Sequence, residues 1–314
     1  MPARPSARVR KSPAQPAAPK LKIHVLRCGK TGVDPAVLDR DISRNPLAYT
    51  GLFRPMSNRI WLPVRAYLIE HPKGRVLINT GWNPEVRNRP LYTLGPMLYC
   101  ATPYLPVGES IRERLRALDL SPDMLDLVLL THLESDAAGG LCEVRKAKKI
   151  AVHRDEWIAA NALIPRYNVN SNNWQGIRVR TFTFPEPALG GQPETPYRDV
   201  FGDGSVCVVP LAGRTPGMVG VRVTWGGKFV LIVGDAAYFE DNWNLLTLPG
   251  PSFDVLDSAL TLDYIRTQSK DPNCLCILAS HDPAVQPDLI ELGLRANFFY
   301  SGNRTNRVDP ADKE

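Results

Sequence analysis

Apolar residues along this chain recur in blocks whose spacing switches between two and three-to-four residues, the mark of strands alternating with helices. Leu21–Leu26 reads as a first strand, and a connection rich in Gly, Pro and Asn leads to Ile60–Glu70 and Arg75–Asn79, two strands joined by the turn His71-Pro-Lys-Gly74. Ile111–Leu118 has helical spacing, with Ser110 placed as its N-cap. The apolar run Leu127–Leu130 predicts a strand that ends in a polar turn, followed by a short helix, a strand at Lys149–Val152 and a helix over Asp155–Leu163. Tyr167–Gly191 carries few regular signals and is expected to be a surface loop over the site. Strands at Ser205–Pro210, Gly220–Trp225 and Lys228–Val233 follow, the last two forming a hairpin through Gly226-Gly227. A helix from about Asp254 to Gln268 and a strand at Leu275–Leu278 lead to Ser280-His281-Asp282-Pro283, and no internal repeat is found.

At 314 residues and 44% hydrophobic, the chain is long enough to bury a large core. Its formal charge of +6 sits mostly in residues 1–20, where five basic and no acidic residues accompany five prolines. That composition predicts a disordered tail over 1–20, a nearly neutral folded domain over 21–305 and a polar tail over 306–314. Without interleaved aromatics the basic tail gives no expectation of nucleic-acid binding. No apolar run approaches the ~20 residues of a membrane helix, so a cytoplasmic protein is expected. The six cysteines have neither Cys-x-x-Cys nor zinc-finger spacing and are expected to be reduced, with Cys274 and Cys276 on one face of their strand by simple alternation.

The candidate chemistry begins where Val128-Leu-Leu-Thr-His132-Leu-Glu134-Ser-Asp136-Ala137-Ala-Gly139-Gly140 leaves its strand. This segment resembles the His-x-His-x-Asp-His signature of the metallo-β-lactamase superfamily, with Glu134 and Ala137 where two histidines stand. Four further segments keep the family order: Ile78-Asn-Thr-Gly81, Gly213-Arg214-Thr-Pro-Gly217, Gly234-Asp235-Ala-Ala-Tyr238 and Ser280-His281-Asp282. Together with Trp61–Gly74, they make the chain similar to the N-acyl homoserine lactonase group, over about Leu21 to Phe299. The resemblance implies an α/β fold, the metallo-β-lactamase-type αββα four-layer sandwich, whose loops would gather residues 132–137, 214, 235 and 281.

Such relatives hold two metal ions through five His and two Asp. By that resemblance His132, Glu134 and Arg214 stand at the first position, Asp136, Ala137 and His281 at the second, and Asp235 at the bridge. Ala137 offers no donor. A guanidinium is always charged and has no lone pair to give, so Arg214 repels a first ion. At an effective dielectric near 20, a unit like-charge contact at ~4 Å costs on the order of 4 kcal/mol. Arg214 is expected instead to pair with the acids Glu134, Asp136 and Asp235. The expected cofactor is at most one divalent ion, zinc, manganese or iron, held by Asp136, Asp235 and His281, or none. Asn79 keeps the shape of the Asp that stands in the family's Asp-Thr-Gly turn while removing its charge, and His24, His71 and His153 offer no replacement ligands.

Two functions follow from the resemblance. One is hydrolysis of a lactone or other ester-like bond, with Asp136 and Asp235 as ligands and proton acceptors and Tyr238 or Arg214 stabilising the oxyanion. The other is an inactive relative that binds a small acyl or carboxylate ligand, with Arg214 as anchor.

Overall fold

The computed structural model describes residues 21–162, 167, 173–185, 197–285 and 288–292. The tails expected at 1–20 and 306–314 lie outside these residues. The first sheet contains β1 (Leu21–Val33), β2 (Ile60–His71), β3 (Gly74–Ile78), β4 (Thr102–Tyr104), β5 (Leu127–Leu129), β6 (Ile150–His153) and β7 (Val179–Phe182). The second contains β8 (Arg198–Asp199), β9 (Val206–Pro210), β10 (Val219–Trp225), β11 (Lys228–Gly234) and β12 (Cys274–Ala279), after which β13 (Leu289–Leu292) returns to the first. Strand orders are β13-β1-β2-β3-β5-β6-β7, with β4 on β1, and β12-β11-β10-β9-β8.

Each strand's alternation supplies two apolar faces, and three buried clusters make the layering explicit. Between the sheets lie Tyr67, Ile69, Val76 and Ile78 against Val208, Val221, Val230 and Ile232. On the outer face of the first sheet, Leu68, Leu77 and Val128 meet Ile111 and Leu115 of the helix Ile111–Arg116 and Ala159 and Ala160 of the helix Arg154–Asn161. On the outer face of the second, Leu231 and Val233 meet Leu262 and Ile265. These belong to the helix Val255–Ser269, which buries Ser258, Thr261, Leu262 and Ile265, one stripe at helical spacing. The result is the αββα sandwich.

Several sequence expectations are corrected. β1 continues past Leu26 to Val33 through a register irregularity between Arg27 and Lys30, so a polar break in the pattern did not end the strand. Within the stretch expected to be a loop, Val179–Phe182 forms an edge strand parallel to β6, and Tyr167 is buried in the outer core. The remainder of that stretch lies partly outside the described residues. Cys274 packs on the helix-side core and Cys276 on the inter-sheet core, because β12 shifts register between its pairings with Phe229 and Val230. A bulge reverses the alternation that would have put both thiols on one face. Among the described residues no helix is long and apolar enough to cross a membrane.

Ser110 caps its helix as expected, in a capping box with Glu113. The Glu113 carboxylate also accepts from Arg87 Nη1 at 3.1 Å and Nη2 at 2.6 Å, and from the Ser110 N–H at 2.8 Å. The Arg87 fork is the main reason its pKa falls from 4.5 to about 2, against the opposing effect of burial. A depressed carboxylate contributes stability above its unfolded pKa and loses it as pH falls through the folded one. Glu113→Gln is therefore expected to cost about 1–2 kcal/mol at pH 7 in urea unfolding. The gap should close between about pH 4.5 and pH 2; a difference independent of pH would contradict this assignment.

Candidate metal centre

Five loops leaving the C-terminal ends of strands converge at one edge of the sandwich. β3 delivers Asn79, β5 delivers Thr131 to Asp136, β9 leads to Arg214, β11 delivers Asp235 and Tyr238, and β12 delivers His281. The β3 and β5 loops press together so closely that a Cβ on Gly139 would sit 2.4 Å from the Asn83 nitrogen, and one on Gly140 would sit 2.3 Å from the Thr80 carbonyl oxygen. Glycine at both positions is what allows the short helix Ser135–Ala138 to present Asp136 beside the strand ends.

The expected arginine–acid contact is present, and Glu134 is the partner. Arg214 Nε donates to Glu134 Oε2 at 2.8 Å and Nη2 to Oε1 at 3.1 Å, a two-pronged fork, while Nη1 reaches the Pro251 carbonyl at 3.3 Å. Burial opposes the guanidinium charge, but Glu134, Tyr238 and Asp235 more than offset it and raise its pKa above the usual value. Its carbon lies 5.8 Å from the centre of the Tyr238 ring. Tyr238 stacks in turn on His281, with centroids 5.3 Å apart. Burial, partly offset by Arg214, holds the Tyr238 phenol well above its ordinary pKa, so it remains a donor at neutral pH.

Both histidines of the motif face the carboxylates. His281 Nδ1 is 2.8 Å from the Pro63 carbonyl, which requires an N–H there and directs Nε2 at Asp235 Oδ2, 3.2 Å away, and Asp136 Oδ2, 3.4 Å away. Burial disfavours the imidazolium, yet these two acids push His281 up to about 10. Asp235 is likewise buried, but His281, His132 and Arg214 hold it well below the usual carboxylate range. His132 Nε2 stands 3.6 Å from Glu134 Oε2 and 3.6 Å from Asp235 Oδ2, fully buried and without a hydrogen-bond partner among the described residues.

That orphaned nitrogen is what tests the fit of a metal. Donor atoms of His132, Asp136 and Asp235 all lie within 4.8 Å of one another, and an imidazole with two carboxylates is a competent set for one divalent cation. The ion expected from the sequence lies among Asp136, Asp235 and His281, with His132 at the first position by family order, and His281 Nε2 does face the same two acids. Around this set, both Glu134 oxygens accept from Arg214, and Ala137 carries no donor atom. His24 pairs with Glu70, His71 with Ser205, and His153 caps the helix Arg154–Asn161, so none of them reaches the centre.

Beside the centre opens a cavity of about 250 Å³, with Val33, Val37, Leu94 and Met97 on its walls and Arg214, Tyr238 and His281 at its polar end. Sequence reasoning missed those walls, which come from segments read only as connections. It also missed Glu156. This fully buried carboxylate accepts from the Leu133 N–H at 2.9 Å and the Tyr167 hydroxyl at 2.8 Å through Oε1, and from the Gly217 N–H at 3.3 Å through Oε2. It thereby ties the loop bearing His132 and Glu134 to the loop bearing Arg214. Its place in the charged run Arg154-Asp155-Glu156 reads as a solvated face, and only the apolar residues that follow hint otherwise.

Residues 59–276 match the family described as the metallo-β-lactamase superfamily. The chain is 36% identical over 278 residues to the N-acyl homoserine lactonase AiiB of Rhizobium rhizogenes, covering 83% of this chain and 93% of that protein. It is 26% identical over 236 residues to the N-acyl homoserine lactonase AttM of Azorhizobium caulinodans, covering 72% and 84%. A solved N-acyl homoserine lactone hydrolase with N-hexanoyl-L-homoserine at its catalytic metal centre shares the fold, with a TM-score of 0.67 at 19% identity over 83% of this chain and 93% of its own.

Removing the guanidinium strands Glu134 beside Asp235. Arg214→Ala is accordingly expected to cost roughly 3–5 kcal/mol in metal-free protein. Adding Glu134→Gln should recover much of that loss. Denaturant unfolding of the two variants checks the pair, and an Arg214→Ala loss no greater than that of a surface substitution would refute its assigned weight.

Proposed function

The chain belongs to the metallo-β-lactamase superfamily, and from that premise we propose that it is a lactonase-like hydrolase of lactone or ester-like bonds that uses one divalent cation, with the Arg214–Glu134 pair in place of a second. The observation that carries this reading is the unpartnered His132 Nε2 facing Asp235 beside Asp136. His132, Asp136 and Asp235 would hold the ion, with His281 against both acids. A cation bound there supplies the charge that polarises a carbonyl oxygen and lowers the pKa of water. Oxygen-rich donors suit manganese or ferrous iron at least as well as zinc.

The chain's own groups divide the remaining work. Asp235, held ionised by its neighbours, serves as a ligand and, with Asp136, as an acceptor for the proton of attacking water. Tyr238 stays protonated, and its Oη–H is the group in the cavity suited to donate to the developing oxyanion or to the leaving oxygen. Arg214 supplies a fixed positive charge above the Tyr238 ring that favours the same oxyanion, although Glu134 neutralises most of its reach. The apolar walls fit the acyl portion of a small lactone or ester, the class handled by the lactonase relatives. A second reading, binding of such a ligand without turnover, is favoured by one observation: the Arg214–Glu134 fork occupies the place where a second cation would assist attack.

Elemental analysis together with a lactone-opening assay separates these readings. The expected result is at most one tightly held ion per chain after purification without added salts. Opening of an acyl homoserine lactone should be slow and dependent on added manganese or zinc. Glu134→His/Ala137→His/Arg214→His should take up two ions and open the lactone faster. Two ions in the native chain, or fast native turnover, would overturn the one-cation reading; no turnover with any added metal, alongside saturable ligand binding, would establish the second.

A further inference from the structure

The residues behind His132 form a closed hydrogen-bonded chain. Asn79, at the end of β3, holds a left-handed φ of +59°, a conformation Asn tolerates better than most residues. Its Oδ1 accepts from the Thr131 N–H at 2.9 Å, which fixes the orientation of the amide. Thr131 Oγ1 then lies 2.9 Å from Asn79 Nδ2, 3.0 Å from Asn79 Oδ1 and 2.8 Å from His132 Nδ1. Asn79, Thr131 and His132 are all buried, so this accounting closes without solvent.

A hydroxyl has one hydrogen, and its destination sets the imidazole. When Thr131 donates to Asn79 Oδ1, it accepts from a proton on His132 Nδ1, and Nε2 presents a bare lone pair to a cation. When Asn79 Nδ2–H donates to Thr131, the hydroxyl hydrogen passes to His132 Nδ1 as a donated bond. Nε2 then carries the proton and faces Glu134 and Asp235, each 3.6 Å away. Only the second arrangement directs a positive N–H edge at the two acids. A carboxylate at position 79 can donate nothing, and it would leave only the first arrangement.

We propose that Asn79 is a positioning residue that makes His132 a switchable ligand: through Thr131 it keeps the Nε2–H tautomer in the metal-free protein, and metal binding must move that proton to Nδ1 before Nε2 can coordinate. The metal step rests on the one-cation reading above, whereas the tautomer assignment does not. Asn79 thereby weakens metal binding and keeps the empty carboxylate cluster tolerable.

Ring-nitrogen NMR on metal-free, 15N-histidine-labelled protein at pH 8 reads the tautomer directly. The native chain is expected to show His132 protonated at Nε2, and Asn79→Asp to show it protonated at Nδ1. Calorimetric titration with manganese or zinc should find Asn79→Asp binding roughly 10–100-fold more tightly, the usual size of an effect from behind a ligand. Thr131→Val removes the hydroxyl, so adding Asn79→Asp to it should leave affinity unchanged, while Thr131→Ser should behave as the native chain. Should Asn79→Asp fail to fold, the native spectrum and the Thr131→Val and Thr131→Ser pair still decide the matter. A native His132 protonated at Nδ1, or at both nitrogens, would overturn the proposal; so would equal affinities in the Thr131→Val and Thr131→Ser variants. Failure of metal binding in every variant, with the native Nε2–H signature intact, would sink the one-cation reading and leave the tautomer assignment standing.

Discussion

Three carboxylates converging in a place with little water is the constraint around which this molecule is arranged. Glu134, Asp136 and Asp235 come from two loops that fold together only because the strands bearing them end at the same edge. Unpaired acids at such separations repel strongly in a low-dielectric setting and would have to protonate or move apart. The chain answers with positive charge of its own: Arg214 forks onto Glu134, and a proton on His281 faces Asp136 and Asp235. His281 thus serves as a cation against this pair, and the two acids are what keep its proton in place.

Legibility in the sequence followed how local each signal was. Strands buried on both faces, such as β5 and β11, are short apolar runs bounded by turns and could be read directly. The site motifs were readable for the same reason, because His132, Glu134 and Asp136 lie within five residues on one turn. β7 was not, since Val179-Arg-Thr-Phe182 is an edge strand with a mixed pattern that depends on β6 for its pairing. The reversed faces of Cys274 and Cys276 depend on a bulge that arises between two strands, and no feature within the strand itself announces it.

The supports of the centre are the least legible part. Asn79 and Thr131 are 52 positions apart and meet only because β3 and β5 pair in parallel with one register. Glu156 reaches 61 positions forward to Gly217 and stands in a charged run that looks like helix surface. Pairwise chemistry of this kind is created by topology, so spacing along one segment cannot reveal it. A contact of Arg214 with one of the three acids follows from charge once the family order gathers them, whereas the choice of Glu134 among them does not.

Arg214 also changes what the surroundings can do to the centre. A bound ion is held only as long as its free concentration exceeds its dissociation constant, and the stability it lends to the fold fluctuates with supply. A guanidinium tethered to the backbone has no such dependence. Chelators cannot extract it, a competing transition metal cannot replace it, and its pKa lies beyond the reach of any physiological change in pH. The loop carrying Glu134 is thus anchored to the loop carrying Arg214 whatever the supply of metal. The link between these loops belongs to the chain itself and outlasts any ion that comes and goes.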